Sequence, residues 1–174
     1  PSPPDTTAWR TPGFNDSTWV TGAAPFYYDT DTNPAAAYTG NTRLSDMQNS
    51  YASVFLRQKF VVTNLASLAA LTLSAINDDG FIAWINGTEV ASHNPPAAPL
   101  AFNSVASAAA TEPPSYQDYA LPDLAGYLKA GTNVLAVQVF NVNLTSSDFV
   151  FDAELIPTFK ETTPPVIINV SPEP

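Results

Sequence analysis

The sequence predicts an all-β protein, an antiparallel β-sandwich with long loops and at most one short helix. Short runs of β-branched and aromatic residues alternate with polar residues from position 53 onward. Two turn signals lie between Leu71 and Val90: Asn77-Asp78-Asp79-Gly80 predicts one chain reversal, and Asn86-Gly87 predicts a hairpin. The second signal is the stronger, because both central residues of a type I′ turn need a positive φ.

The elements follow from the same alternation. Seven strands are predicted, at residues 53–62, 68–76, 81–86, 89–92, 116–120, 133–141 and 149–157. The one helical candidate, 121–129, begins with Pro122-Asp123 and ends at Ala130-Gly131, which is typical of one or two turns. Residues 21–51 and 94–114 lack periodicity and are predicted to be long loops packed across the sandwich. Loops on a rigid scaffold are where binding sites tend to lie.

Composition and charge exclude several functions. Six Lys and Arg against sixteen Asp and Glu give a formal charge of −10, which would repel nucleic acid and an anionic bilayer. The chain has no cysteine and one histidine, His93, so neither thiolate nor multi-histidine metal sites are possible. No apolar run reaches membrane-spanning length. The few lysines and many Thr, Asn, Ser, Ala and Pro residues favour a secreted, extracellular or cell-surface bacterial protein.

Calcium is the metal that the acidic residues favour. Asp29, Asp31 and Asn33 place oxygen ligands at alternating positions, as in the first half of a calcium loop. Pro34 and Gly40 stand where an EF-hand has glycine and glutamate, so further ligands must come from elsewhere. The alternative is an acidic, turn-rich surface loop.

The Asp78-Asp79-Gly80 turn raises the same question. Two adjacent aspartates before a glycine resemble the acidic turn that some lectin-like β-sandwiches use to hold calcium and sugar hydroxyls together. Asn and Asp also favour such turns for backbone reasons alone, which is the alternative. We therefore include Asp78 with Asp29, Asp31 and Asn33 as a candidate metal ligand.

A glycan site needs aromatic side chains against a sugar face, with amides and carboxylates for the hydroxyl groups. The candidate ligand-binding residues are Tyr27, Tyr28, Asp78, Asp79, His93, Asn94, Asn141, Asn143 and Asp148. For His93 the alternative is local hydrogen bonding within a loop. Trp84 is predicted to lie in the core with Ile82, and Arg57 is predicted to pair with Asp148 or Asp152. Nothing in the spacing of the acids indicates a catalytic carboxylate pair, so a non-catalytic domain is expected; the alternative is a glycoside hydrolase that acts through two carboxylates.

Five motifs occur in one order along the chain. They are AWRTPGFNDSTWVTGAAPF at 8–26, LRQKFVV at 56–62, DDGFIAWINGTEVASHNPP at 78–96, LKAGTNVLAVQVFN at 128–141 and TSSDFVFDAELIP at 145–157. With them the chain resembles the galactose-binding-like jelly-roll domains of large secreted bacterial proteins, and it is similar to the sugar-binding domain of family 2 glycoside hydrolases. The resemblance implies a non-catalytic two-sheet sandwich that often carries a structural calcium ion and in some members binds glycans.

The resemblance also divides the chain into three parts. Residues 9–158 form the sandwich, and residues 1–8 are a linker or the remnant of a first strand that relatives have and this chain lacks. Residues 159–174 are a Pro-bounded linker with an extra strand, 166–170, leading to a next module. A sandwich without its edge strand exposes unpaired backbone groups, which strand addition can cover.

These observations predict an accessory module of an extracellular multidomain protein, which binds a glycan or cell-surface polysaccharide or acts in adhesion, with structural calcium. The alternative is a structural or assembly subunit, or a spacer, joined to neighbouring copies or domains by strand addition. Neither nucleic acid binding nor membrane insertion is expected.

Overall fold

Two packed β-sheets make up the computed structural model, which describes residues 7–33 and 38–161. The strands are β1 Phe26–Asp29, β2 Thr42–Arg43, β3 Ser53–Val62, β4 Leu68–Asp78, β5 Gly80–Ile85, β6 Thr88–His93, β7 Gln117–Leu121, β8 Gly131–Phe140 and β9 Asp148–Phe159. One short helix, α1 Leu124–Tyr127, and 3₁₀ turns at Thr7–Arg10 and Leu65–Ser67 complete the described elements. The predicted all-β sandwich is confirmed.

The two sheets have the orders β2-β1-β9-β4-β7 and β3-β8-β5-β6. Every pair is antiparallel except β1 with β2. All seven predicted strands are present, with ends that differ by at most two residues. β1 and β2 lie inside the stretch predicted as a loop, because runs of four and two residues are too short to show an alternating pattern. In the described residues, no helix is long and apolar enough to cross a membrane.

The two turn signals have different outcomes. Asn86-Gly87 joins β5 to β6 with φ values of 54° and 93°, so the predicted hairpin is confirmed. Asn77-Asp78-Asp79-Gly80 is not a hairpin, because β4 belongs to the five-stranded sheet and β5 to the four-stranded sheet. The chain changes sheets at Asp79 through a buried corner. Glycine is needed there, since a Cβ on Gly80 would lie 2.8 Å from the carbonyl oxygen of Asn94.

The main core lies between the sheets. Its fully buried side chains include Leu73, Phe81, Ile85, Val139 and Phe149. Burying each such side chain contributes on the order of 1.5–3 kcal/mol. This apolar layer fixes the relative position of the strand ends that carry the candidate site.

A second apolar cluster covers the outer face of the four-stranded sheet. Trp84 packs edge-on against Trp9, with ring centroids 5.6 Å apart, and Phe140 and Ile82 are buried beside them. The prediction that Trp84 is a core residue is confirmed. β5 is thus buried on both faces, which explains why its sequence is apolar throughout.

Arg57 pairs with Asp16, so the predicted pairing with Asp148 or Asp152 is wrong. Its Nε donates to Asp16 Oδ2 at 2.9 Å, and its side chain is 1% exposed. Nη1 also donates to the carbonyl oxygens of Trp9 and Thr11. Arg57 contacts the N-terminal segment on the four-stranded sheet, whereas Asp148 and Asp152 belong to β9 in the other sheet. The hydrogen bond from Arg57 lowers the pKa of Asp16.

We expect Asp16→Asn to lower the free energy of unfolding by about 2–4 kcal/mol, because it leaves a buried guanidinium without its counter-charge. Urea denaturation measures this change. Lys59→Gln is the matched control: Lys59 Nζ lies 3.7 Å from Asp16 Oδ1 and is half exposed, so its loss should cost less than about 1 kcal/mol. Equal losses in the two variants would contradict a dominant role for Arg57.

Candidate functional site

Three aspartates meet at one end of the five-stranded sheet. β1 ends at Asp29, β9 begins at Asp148, and β4 ends at Asp78. The register pairs Asp29 with Asp148 and Asp78 with Val150. Because side chains alternate between the faces of a sheet, all three aspartates lie on the face opposite to the core residues Tyr28 and Phe149.

An acidic cluster forms where a loop crosses this face. Asp78, Glu112 and Asp148 each have a carboxylate oxygen within 4.8 Å of the others. Glu112 comes from the loop between β6 and β7. Asp78 is 1% exposed, and its Oδ2 is buried without a hydrogen-bond partner. A buried carboxylate oxygen needs a proton or a cation to compensate for the water it has lost.

Burial controls the protonation of the cluster. It raises the pKa of Asp78 to about 9, with a further increase from the charge of Asp79 beside it. Burial also raises the pKa of Asp148, and the charge of Glu112 adds to the effect. Without a cation, Asp78 therefore holds a proton at neutral pH. A bound cation would displace that proton.

Asp79 has a different environment from its neighbour Asp78. Its carboxylate accepts backbone N–H bonds from Ala110 at 2.8 Å and from Val142 at 2.6 Å. Its carbonyl oxygen accepts a bond of 3.1 Å from Asn94 Nδ2. Asp79 thus attaches the loop that carries Glu112, and the loop between β8 and β9, to the corner between the sheets.

Tyr28 and Asn141 hold the start of β9. Asn141 Nδ2 donates to the Tyr28 hydroxyl at 2.9 Å and to the Asp148 carbonyl at 3.3 Å, and the Tyr28 hydroxyl donates to the Ser146 carbonyl at 2.8 Å. Burial raises the pKa of Tyr28 to about 12, so it stays a neutral donor. The Oδ1 of Asn141 is buried without a partner.

The predicted calcium loop is stabilised by its own backbone. Asp29 accepts from the N–H groups of Asp31 and Tyr38, each at 2.6 Å, and Asp31 accepts from the N–H of Asn33 at 2.8 Å. These are the contacts of an acidic turn, the alternative stated for this segment. Of the four predicted metal ligands, only Asp78 belongs to the acidic cluster.

The remaining predicted ligand-binding residues lie around this end of the sandwich. Tyr27 is half-buried on the outer face of the five-stranded sheet, opposite Val150 in the register. His93 and Asn94 lie at the end of β6, with the His93 ring 6.5 Å from that of Tyr119. Asn143 accepts from the N–H of Thr145 in an exposed turn.

Burial divides the predicted glycan contacts into two groups. Tyr28, Asp78, Asp79 and Asn141 are all buried. Because their side chains are buried, these four residues do not offer a surface to a sugar. The more exposed members of the predicted set are Tyr27, His93, Asn94, Asn143 and Asp148.

One residue of the acidic cluster, Glu112, was missed. Glu112 completes the cluster, and the hydroxyl of Tyr38 donates to a carboxylate oxygen of Glu112. Burial and this hydrogen bond raise the pKa of Tyr38. One signal was present in the sequence: Glu112 is the only acidic residue in the long loop 94–114.

Comparisons with known proteins find similarity among solved structures. No family model and no curated protein matches the sequence. Among solved structures, a calcium-binding mutant of Bacteroides uniformis beta-glucuronidase 2 is 16% identical, with a TM-score of 0.47, and the match covers 86% of this chain and 16% of that chain. Bacteroides uniformis beta-glucuronidase is 14% identical, with a TM-score of 0.46, and the match covers 86% of this chain and 16% of that chain.

A beta-glycosidase from Bacteroides vulgatus is 15% identical, with a TM-score of 0.44, over 89% of this chain and 18% of that chain. This chain therefore spans less than a fifth of each of the three glycosidase chains.

The raised pKa of Asp78 predicts how the stability of the cation-free protein depends on pH. The folded state keeps a proton up to about pH 9 that the unfolded chain loses near pH 4. The stabilising contribution is therefore complete below pH 4 and decreases as the pH rises to about 9, by at most about 1.4 kcal/mol per unit. Urea denaturation with EDTA at pH 5 and pH 8 measures this.

Asp78→Asn serves as the comparison, because it removes the ionisable group and keeps the shape of the side chain. The decrease in stability between pH 5 and pH 8 should be clearly smaller in the variant. An unchanged decrease would assign the titration to another group.

Proposed function

We propose that this chain is a non-catalytic, carbohydrate-binding accessory module of an extracellular multidomain protein, and that a calcium ion joins Asp78, Glu112 and Asp148. The observation that carries the cation site is the buried, unpartnered Oδ2 of Asp78 among two further carboxylates. Three carboxylates this close repel one another unless a proton or a cation intervenes.

Calcium fits the donor set better than other metals. It takes six to eight oxygen ligands in a flexible geometry, whereas zinc and copper favour the sulfur and imidazole ligands that this site lacks. Asp78, Glu112 and Asp148 would supply the charged ligands. They come from the end of β4, the β6–β7 loop and the start of β9, so the ion would link three segments that are far apart in the sequence.

A polar sheet face beside the cluster supports the carbohydrate proposal. Tyr27 lies on the outer face of the five-stranded sheet, and Tyr116 is 54% exposed with its hydroxyl donating to Asp152 Oδ2 at 2.7 Å. Exposed aromatic rings next to carboxylates and hydroxyls are the usual means of sugar recognition. The family resemblance of the sequence favours the same class of ligand.

The burial of the acids supports a non-catalytic role. A glycoside hydrolase needs two carboxyl groups that reach the sugar from opposite sides of its scissile bond. Asp78 is covered by the protein, and its carboxylate lies close to those of Glu112 and Asp148. This arrangement suits the enclosure of an ion better than contact with a substrate.

Calcium titration followed by thermal unfolding tests the cation site. A calcium concentration one hundred times the Kd stabilises a protein by about 2.7 kcal/mol, so we expect Tm to rise by roughly 5–10 °C. Asp148→Asn and Glu112→Gln should each weaken binding at least about tenfold. Asp31→Asn is the matched control, because Asp31 lies in the acidic turn and outside the cluster. An equal effect of Asp31→Asn, or no shift with calcium, would overturn the proposal.

A glycan array with calcium and with EDTA tests the carbohydrate proposal. We expect binding to a subset of polysaccharides, reduced about tenfold by Tyr116→Ala, because sugar contacts on this face need an aromatic ring. Phe102→Ala is the control, since Phe102 is comparably exposed and lies in the loop that follows β6. Binding to no glycan under either condition would reject this part of the proposal and leave the cation site untouched.

A further inference from the structure

The outer face of the five-stranded sheet carries charge of one sign. β4, β9 and β7 lie side by side and contain five acidic residues and no lysine or arginine. These acids are Asp78, Asp118, Asp148, Asp152 and Glu154. Because side chains alternate between the faces of a strand, all five lie on the outer face, opposite to Leu73, Tyr119 and Phe151. Among the described residues of this sheet, Arg43 is the one basic residue, and it lies in β2 at the edge.

Three of these acids lie beyond the acidic cluster, on the uncovered part of the face. The register places Glu154 and Asp118 on either side of Ser74, about 10 Å apart. Asp152 is two positions before Glu154 on β9, about 7 Å away. Both ion pairs of the described residues involve Asp16, which lies on the other sheet. This part of the face therefore keeps a negative charge that no basic side chain balances.

A second observation at the same face points to a positively charged ligand. The Oδ2 of Asp78 is buried without a hydrogen-bond partner, at the end of the face where β4 ends. Its need for a cation comes from the loss of water, whereas the exposed acids act through their charge. The two observations are thus independent, and both favour a cation on this side of the sheet.

The uncovered part of the face also has the side chains that a sugar requires. Tyr116 is 54% exposed, and its hydroxyl donates to Asp152 Oδ2 at 2.7 Å. Thr72 and Ser74 lie half-buried between the flanking strands, so their hydroxyl groups share the face with the acids. An aromatic ring, hydroxyls and carboxylates on one flat surface suit a polysaccharide better than they suit a basic peptide, which needs only the charges.

We propose that this face binds a cationic polysaccharide, one whose sugar units carry free amino groups. The protonated amino groups would lie against Asp118, Asp152 and Glu154, and a sugar ring would lie against Tyr116. A single exposed ion pair contributes little, but several on one polymer reinforce one another, because the later contacts form within the bound complex. The inference rests on the proposed carbohydrate function and names the class of its ligand.

Two sugar oligomers that differ in charge test this inference with the full chain. The first is a hexamer of glucosamine, and the second is the same hexamer with every amino group acetylated and therefore neutral. Isothermal titration at pH 5.5 and low salt, with calcium present to compensate the acidic cluster, measures both affinities. We expect the glucosamine hexamer to bind at least about tenfold more tightly. Added salt should remove most of this preference, since exposed charges are screened.

Two charge-matched double variants locate the binding to this face. Asp118→Asn with Glu154→Gln should weaken binding of the glucosamine hexamer at least about tenfold. Glu89→Gln with Asp123→Asn is the control, because Glu89 lies in β6 of the other sheet and Asp123 precedes α1. Each double variant raises the formal charge from −10 to −8, so a general attraction between the protein and a polycation would change equally in both. All four positions are exposed, so the fold should be retained.

The outcomes separate this inference from the proposed function. Equal or tighter binding of the acetylated hexamer, binding of neither hexamer, or equal losses in the two double variants would overturn the inference. Binding to other glycans on the array would then leave the carbohydrate function standing, whereas binding to none would reject that function as well. Polylysine is the last comparison. Tighter binding of polylysine than of the glucosamine hexamer, unchanged by Tyr116→Ala, would indicate a basic protein as the partner and would also overturn the inference.

Discussion

The structure depends on a buried corner between the sheets, at Asp78 and Asp79, whose charge must be compensated. Each carboxylate there is almost wholly removed from water. Asp79 is compensated by two backbone N–H groups, which also hold the loops around the site. Asp78 has no such donor on Oδ2. The corner that carries the chain from one sheet to the other is therefore also the place where the protein needs a proton or an ion.

The two adjacent aspartates show how environment divides one residue type into two roles. Asp79 accepts two backbone N–H bonds, whereas burial raises the pKa of Asp78 and favours its neutral form. Asp79 therefore serves the architecture, while Asp78 is left to interact with Glu112 and Asp148. Since Glu112 lies in a long loop, its position depends on the contacts that Asp79 and Tyr38 make. A cation at the cluster would stabilise segments that the core alone does not hold together.

Local patterns in the sequence were sufficient for seven of the nine described strands, β3 to β9, and for the Asn86-Gly87 hairpin, because alternation and positive φ are properties of neighbouring residues. The corner at Asp79 was predicted as a simple reversal, since Asn, Asp and Gly favour a hairpin and a change of sheet equally. Sheet membership is decided by the pairing of β4 with β9, far along the chain. For the same reason Arg57 was assigned an acidic partner but the wrong one, and Glu112 was missed.

β9 connects the acidic cluster to an apolar groove at the opposite end of the strand. Its first residue, Asp148, belongs to the acidic cluster, and its last, Phe159, lies exposed in the apolar groove. A strand of this length spans roughly 35–40 Å, so the two places share no direct contact. Contributions to stability from sites this far apart are nearly additive. An ion at the cluster would thus stabilise one end of the sheet independently of the contacts at the other end.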